Sequence, residues 1–378
     1  MADDVPQVSV KLVGIADVVS SVESVDIEDH DTAIDRARVV FDDSQAVISQ
    51  ILKEQTRLQV SIGWSTENAF IFEGIVMGIK TEAKGQAQQR VTLTAYDLSY
   101  QMRLKQPQKR VFTSGKLSDA ITAIVGEYSA SGIQAGDIKP DPDPVFTDLQ
   151  PLAKREGQTD WDFIQDLTKI YGARAFCEVN DGVSKFYFVS AASLLKADPM
   201  GTMLYCPGGA GKLLEFSYQR IGSSASLVPS ATAVDPQTGK VITQQATPPP
   251  PDPPLEVDPT ADAQLQQAAD AAAKSDGQPA DGRPTPVLSG KASDPVKLGV
   301  QIQQDPTRIL GFYGKGVAVG TIKLRAKGKV TIKGIAPWAE GDWYVHKVNH
   351  CYQRVIVNDA KLKEKDRSTF QSKLAVTR

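Results

Sequence analysis

Three cysteines and three histidines in 378 residues leave little material for thiol, redox or metal chemistry. Cys177, Cys206 and Cys351 are odd in number, far apart and without CxxC spacing. That is the usage of reduced thiols in a chain made in the cytosol, not of a disulfide framework. No apolar run approaches the roughly 18 residues needed to cross a bilayer, so no membrane span is expected. The start, Met1-Ala2-Asp3-Asp4, is acidic where a secretory leader would be basic, so no export signal is expected either. Neither sign of charge dominates: 42 Lys and Arg face 45 Asp and Glu, a net −3. This excludes a protein whose main work is electrostatic grip on nucleic acid. Aromatic residues are missing altogether between Gln219 and Gly311. Within that stretch Pro248, Pro249, Pro250, Pro251, Pro253 and Pro254 form a polyproline-prone tract that cannot join a sheet. The Ala-rich residues 261–274 could make only a helix with little to bury. Residues 225–296 are therefore expected to be an extended excursion or linker.

What is present supports folded cores. Hydrophobic residues make up 41 % and charged residues 23 %, and the length suits two or three domains of about 100–200 residues each. The near-neutral balance hides a strong polarity. Residues 1–100 carry 8 Lys and Arg against 16 Asp and Glu, a balance of −8, whereas residues 300–378 carry 15 against 6, a balance of +9. Ends of opposite sign suggest surfaces that face each other, within one molecule or between subunits of a ring; the alternative is two soluble surfaces, each with its own bias.

The first hundred residues read as a β unit with one helix. Val8 to Val13 alternates; Ala37, Val39 and Phe41 alternate with Arg36, Arg38 and Val40; Leu58 to Trp64, Phe70 to Lys80 and Arg90 to Tyr96 follow as strands. Ser44 precedes Ala46, Val47, Ile48, Ile51 and Leu52, the pattern of a short amphipathic helix with a serine cap. From about 101 to 212 the character changes. Leu117, Ile121, Ile124 and Val125 recur at helical spacing. A second helix opens at Thr159 with Asp162 three positions on, a capping-box pattern, and Gly172 supplies its left-handed stop. Residues 173–179 and 185–189 read as a hairpin around Asn180, Asp181 and Gly182. After the excursion, residues 316–325, 329–335, 343–350 and 370–377 restore alternating strands. The chain closes as it began, in a β unit, and the two ends are candidates for related modules although no identity between them is visible.

The common catalytic constellations are missing: no P-loop, no GxGxxG after a strand, no GxSxG and no HExxH. His346 and His350 lie in a β-like run, where four positions separate side chains by about 13 Å, too far for one zinc to bridge. Asp160 and Asp162 are about 200° apart around a helix, so they cannot face one substrate together; acidic residues at a helix start are explained by the macrodipole. Gly208, Gly209 and Gly211 precede a strand and not a helix, which suits a flexible junction better than a phosphate cradle. The residues thus offer no catalytic, cofactor-binding or metal-ligating set, and no enzyme is expected.

The run Arg155-Glu156-Gly157-Gln158-Thr159-Asp160-Trp161-Asp162-Phe163-Ile164-Gln165, ending Tyr171-Gly172, resembles the most recognisable segment of the phage late-control protein D family. That family holds the baseplate hubs of contractile tails, and the VgrG-type spikes of type VI secretion share the segment. Gly341-Asp342-Trp343-Tyr344-Val345-His346-Lys347-Val348-Asn349-His350 looks like the family's closing β unit. Phe72-Glu73-Gly74-Ile75-Val76, followed by Thr92-Leu93-Thr94-Ala95-Tyr96-Asp97, resembles its first barrel. The resemblance implies an α+β, mainly β chain. Its parts would be a tube-like β-barrel over 1–100, an α/β module over 101–212, and a second tube-like barrel over 213–378 interrupted by the excursion. It implies a homotrimer that adapts a threefold spike to a sixfold tail tube, with the tail tube protein, a separate central spike and other baseplate proteins as partners. The implied place is the tail baseplate of a virion or phage-like particle, assembled in the bacterial host cytoplasm. Nothing after Arg378 resembles the needle of spike-fused members, and no lysozyme-like or peptidase insertion is visible. A tail-associated peptidoglycan hydrolase and a type VI spike component are the alternatives.

Overall fold

The computed structural model describes residues 5–15, 22–84, 88–105, 108–207, 211–220, 230–234, 241–245, 312–354, 356–357, 365–366 and 368–378. The chain opens with strands β1 (Pro6–Leu12), β2 (Val22–His30) and β3 (Arg36–Asp42), a one-turn helix α1 (Ile48–Ile51), and strands β4 (Arg57–Trp64), β5 (Asn68–Lys84) and β6 (Gln88–Asp97). The middle carries α2 (Gln101–Leu104), β7 (Val111–Phe112), α3 (Leu117–Gly126), β8 (Ile133–Lys139), β9 (Leu152–Ala153), α4 (Asp160–Ile170), β10 (Ala173–Asn180), β11 (Val183–Ser190) and α5 (Ala191–Lys196). There follow β12 (Thr202–Leu204), β13 (Leu213–Arg220), a hairpin of β14 (Ser230–Val234) and β15 (Val241–Gln245), then β16 (Phe312–Val319), β17 (Lys329–Lys333) and β18 (Gly341–Gln353). A two-residue pair, β19 (Ile356–Val357) and β20 (Lys365–Asp366), precedes β21 (Thr369–Thr377). The fold is mainly β with few helices.

Alternation explains the strands. In β3, Ala37, Val39 and Phe41 are fully buried while Arg36 and Arg38 face out, and in β6 Val91, Leu93 and Ala95 are buried. Thr159 caps α4 by accepting the Asp162 N–H at 3.1 Å, and Gly172 follows the helix with φ +58°. The turn between β10 and β11 has positive φ at both Asp181 and Gly182, the geometry that matches the right-handed twist of a two-residue hairpin. The serine-capped helix expected over 46–52 is only one turn, and its donors go elsewhere: the Ile48 and Ser49 N–H groups bond to the Asp43 carboxylate at 2.8 and 3.0 Å. Ala46 has φ +54°, which keeps the preceding residues out of the helix. The strand expected over 316–325 ends at Val319. Part of the excursion expected over 225–296 is the β14–β15 hairpin; the polyproline tract and the Ala-rich stretch lie outside the described residues.

Among the described residues twelve strands form one continuous sheet, in the order β1-β4-β5-β6-β3-β2-β18-β21-β16-β13, with β17 on β18 and β12 on β17. The sheet divides into two six-stranded units joined where β2 pairs antiparallel with β18. Both units have the same internal order. Numbering the strands of each unit by chain position, both run first-fourth-fifth-sixth-third-second. The likeness extends to irregularities. The β2–β3 pairing has a bulge between Val22 and Ser24, and β13–β16 has one between Leu213 and Glu215. The β5–β6 pairing is bulged between Val76 and Gly78, and β18–β21 between Val345 and Lys347. The units differ at two joints: β1 lies antiparallel on β4 and β12 parallel on β17, and the β4–β5 pairing has a bulge between Val60 and Ser61 that β17–β18 lacks.

Among the described residues three apolar clusters make up the core. Phe41, Leu58, Ile62 and Leu93 belong to the first, which the C-terminal strands complete with Tyr352 and Phe370. Leu117, Ile121, Trp161, Phe163, Phe186 and Phe188 make the second, between α3, α4 and the β10-β11-β8 sheet. Trp343, Val345, Val348, Leu374 and Val376 lead the third, which also takes Met203 of β12.

Candidate functional site

The join between the units is where chemistry-bearing residues gather. Strand β2, Val22-Glu23-Ser24-Val25-Asp26-Ile27-Glu28-Asp29-His30, is acidic and was not among the strands expected from periodicity. It pairs in register with the C-terminal half of β18, from Ser24 opposite Gln353 to His30 opposite Lys347. Its outer face is charge-matched: Glu28 takes Arg36 of β3 at 2.6 Å and Lys347 of β18 on its other side. Its inner face ends in Asp29, buried behind Val25 and Ile27.

A buried ionic nest lies behind that face. The turn before β17 delivers Arg325 and Lys327, and Arg325 Nε donates to Asp29 Oδ2 at 2.7 Å. The Lys327 Nζ lies 2.6 Å from Asp29 Oδ1, 3.0 Å from Glu178 Oε1 of β10 and 3.4 Å from Asp35 Oδ2. It also sits 4.8 Å from the centre of the Phe176 ring. Asp97, at the end of β6, accepts the Asp35 and Ser99 N–H groups at 2.7 Å each. Three parts of the chain thus converge on one ammonium group, which is 2 % exposed. Buried charge is tolerated when paired, and losing one partner is far costlier than gaining it was favourable.

The nest sets its own protonation. Burial alone would raise Asp29, but Lys327 and Arg325 outweigh it and hold the carboxyl far below the usual range. Asp35 is pushed well above that range by burial and by Asp29 and Asp97, against the pull of Lys327. Burial lifts Asp97, which no cation touches directly, to about 6. Burial also raises the Cys177 thiol, aided by Asp97 and Asp35, so this cysteine is an inert wall residue.

The histidines and aspartates singled out in the sequence fall in and around this frame. His346 and His350 do lie on one strand, but the bulge at His346 breaks their common parity. His346 Nδ1 is 2.9 Å from Asp31 Oδ2 and its Nε2 is 2.9 Å from Thr377 Oγ1. His350 is buried with Nδ1 3.0 Å from Ser372 Oγ, and burial with Arg325 nearby pushes its pKa down to about 4. Asp160 and Asp162 also part company. Asp162 serves the exposed cap, whereas Asp160 is buried and takes Lys154 Nζ at 2.6 Å, Tyr128 Oη at 2.8 Å and Arg110 at 3.1 Å. Helix-start electrostatics is therefore only part of what Asp160 does. An open groove of about 860 Å³ runs beside this helix, lined by Tyr96, Tyr100, Arg103, Trp161, Asp162 and Arg174 among others. Gly208 and Gly209 lie outside the described residues. A Cβ on Gly211 would meet the Leu204 carbonyl oxygen at 2.1 Å, so that glycine permits the close approach of β12 and β13. Among the described residues no group of three or more His, Cys, Asp or Glu side chains is arranged to hold a metal ion, and no helix is long and apolar enough to cross a membrane.

Periodicity could have exposed the nest. Continuing the alternation of Val25 and Ile27 by two and four positions places Asp29 and Asp31 on the inward face. The partner lysine had no such signal, because it sits in a turn 298 positions away from Asp29 in the chain.

Comparison with solved structures places this fold among known ones. A tail protein from Neisseria meningitidis MC58 matches with a TM-score of 0.64 at 13 % identity, over 99 % of this chain and 97 % of that one. The 43 kDa tail protein of prophage MuSo2 from Shewanella oneidensis matches with 0.62 at 10 % identity, over 99 % and 98 %. The E. coli c3393 protein, described as a component of the type VI secretion system, matches with 0.54 at 10 % identity, over 97 % and 76 %. At these identities the likeness is one of fold. No curated protein matches the sequence. The family model that matches is not that of late-control protein D: residues 3–249, well over half of the chain, match the Alg8 N-terminal domain, and the chain belongs to that family.

Proposed function

We propose that this chain is a structural hub subunit of a contractile tail or phage-like injection particle, a homotrimer that fits a threefold spike to a sixfold tail tube. The observation that carries the reading is the pair of six-stranded units with one strand order, side by side in a single sheet. Two like units per chain let three chains present six similar lobes, which is what a symmetry adaptor needs. In the C-terminal unit the isolated bridge between Tyr205 and Leu213 brings the ends of the strand path β12-β17-β18-β21-β16-β13 back together, in keeping with a tube-like barrel. The resemblance of the sequence motifs to late-control protein D and the tail proteins of like fold support the same reading. On this reading the middle α/β module is a spacer, the partners are tail tube, spike and other baseplate proteins, and the chain has no catalytic role.

Native mass measurement of the purified chain, alone and with its cognate spike, tests the proposal. Trimers are expected, and a species that stays monomeric in both conditions overturns it. A peptidoglycan-release assay addresses catalysis; turnover that disappears on replacing one carboxylate would show a hydrolase instead. The fold likeness to the type VI component c3393 favours one further reading, a spike component of such a system. Neighbouring genes for tube, sheath and a separate spike distinguish it from a tail hub.

A further inference from the structure

The two units correspond residue by residue, and the correspondence follows from the pairings alone. Aligning the bulges sets Val25 against Phe216 and Ile27 against Tyr218 on the second strand of each unit. It sets Ile79 against Val348, Thr81 against His350 and Ala83 against Tyr352 on the fifth. The seam inside the chain joins the second strand of the N-terminal unit to the fifth strand of the C-terminal unit, through residues 24–30 and 347–353. The counterparts of those segments are residues 215–220 of β13 and 78–84 of β5. Strand β5 pairs with β4 only as far as Ile75, and β13 pairs with β16 on one side. Among the described residues no strand covers residues 78–84 on the β4 side or residues 215–220 on the side away from β16.

Exposure follows the same correspondence. Val348 is fully buried at the seam, whereas its counterpart Ile79 is 37 % exposed. His350 and Tyr352 are buried; Thr81 and Ala83 are exposed. Val25 and Ile27 are buried, while Phe216 and Tyr218 are only partly so. The aromatic Trp338, whose ring centre is 5.3 Å from that of Tyr218, is 46 % exposed. Among the described residues, the positions that the internal seam buries are the ones left uncovered at these two edges.

We infer that a second copy of this chain covers them: the 78–84 edge of β5 pairs antiparallel with the 215–220 edge of β13 in the next molecule, repeating the register of the β2–β18 seam. Ile79 then lies opposite Arg220, Thr81 opposite Tyr218, Glu82 opposite Ser217 and Lys84 opposite Glu215. The contact is heterologous, because each copy offers one edge of each kind, so it propagates head to tail until the ring closes. It rests on the hub reading only for the number of copies, not for the strands or the register.

Disulfide trapping tests the register. In a Cys206→Ser, Cys351→Ser background, Glu82→Cys combined with Ser217→Cys is expected to give covalently linked oligomers under mild oxidation, and neither single variant should do so. The out-of-register pair Glu82→Cys with Gln219→Cys should link at least about tenfold less. Equal linking by both pairs, or no linking by either, overturns the inference. Native mass run alongside separates the two levels: trimers without in-register linking leave the hub reading standing and remove this interface, and monomers without linking remove both. A second variant needs no disulfide. Ile79→Lys is expected to weaken self-association at least tenfold while leaving the melting temperature of the isolated chain unchanged; unchanged association would count against the edge.

Discussion

Gln55 and Lys327 occupy the same place in the two halves of the sheet. Each has a left-handed backbone, with φ of 65° and 69°. Each donates its N–H to the carbonyl ahead of a bulge, Gln55 to Val76 at 2.6 Å and Lys327 to Val345 at 2.9 Å. The backbone job is shared and the side-chain job is not. Gln55 is exposed, whereas Lys327 turns inward to hold Asp29, Asp35 and Glu178. The two turns share one geometry, and in the C-terminal one the side chain ties three parts of the chain together.

Lys327→Met should therefore cost about 3–5 kcal/mol, because it removes the cation shared by Asp29, Asp35 and Glu178 and leaves Arg325 alone to balance the buried acids. Gln55→Lys, at the matching position, should change stability by no more than about 0.5 kcal/mol. Urea denaturation of the full chain, followed by tryptophan fluorescence, compares the two.

Two buried groups pull stability in opposite directions on acidification. Asp97 binds its proton more tightly in the folded state, with a pKa near 6 against 3.8, so its contribution grows as pH falls through that interval. His350 is held neutral down to about 4 against 6.5, so its contribution is present above 6.5 and lost as pH falls through 4. Asp97→Asn should steepen the acid-side fall of the melting temperature over this window, and His350→Gln should flatten it. Scanning calorimetry from about pH 7 to about pH 4 reads both; parallel curves for all three proteins would be the contrary result.

The two aspartates of the α4 segment should behave very differently. Asp160→Ala strands Lys154, whose side chain is fully buried, and is expected to cost about 3–5 kcal/mol. Asp162→Ala removes an exposed group and should cost about 0–1 kcal/mol. Thr159→Ala, which removes the N-cap, should fall between them at about 1 kcal/mol. Equilibrium unfolding of the three variants gives the ranking.

Gly211→Ala should destabilise the C-terminal unit by about 1–3 kcal/mol, since a methyl group there overlaps the Leu204 carbonyl and the neighbouring Cys206 backbone. Hydrogen exchange across β12 and β13 should accelerate ahead of that across β2 and β3.

Much of the local structure was legible because burial on one face leaves a period. The alternation in Arg36 to Phe41 and in Arg90 to Tyr96, and the capping signal at Thr159, each correspond to an element in the structure. Strand β2 escaped because its inward face changes from Val25 and Ile27 to Asp29, so polarity ceased to report burial where the ionic nest begins. The likeness of the two ends, expected only from their shared β character, left no visible identity for a related reason. Matched positions such as Arg36 and Tyr313 share a place in the sheet and no chemistry, and the few alike pairs, such as Val40 with Val317, are too scattered to show as identity. What the units hold in common is bulges and hydrogen-bond register, which are properties of the backbone. The opposite charge of the two ends was readable, and the structure gives it a partner: acidic β2 meets the basic C-terminal unit inside one molecule, through Glu28 with Lys347 and Asp29 with Arg325 and Lys327.

The β2–β18 seam has a consequence for assembly at low abundance. A joint whose two sides belong to one polypeptide forms at an effective concentration on the order of millimolar, however dilute the protein. Dilution can loosen only joints between separate molecules. In the proposed ring the smallest piece left on disassembly would accordingly be a pre-fused pair of lobes, and every rebuilding step would add two lobes for a single encounter.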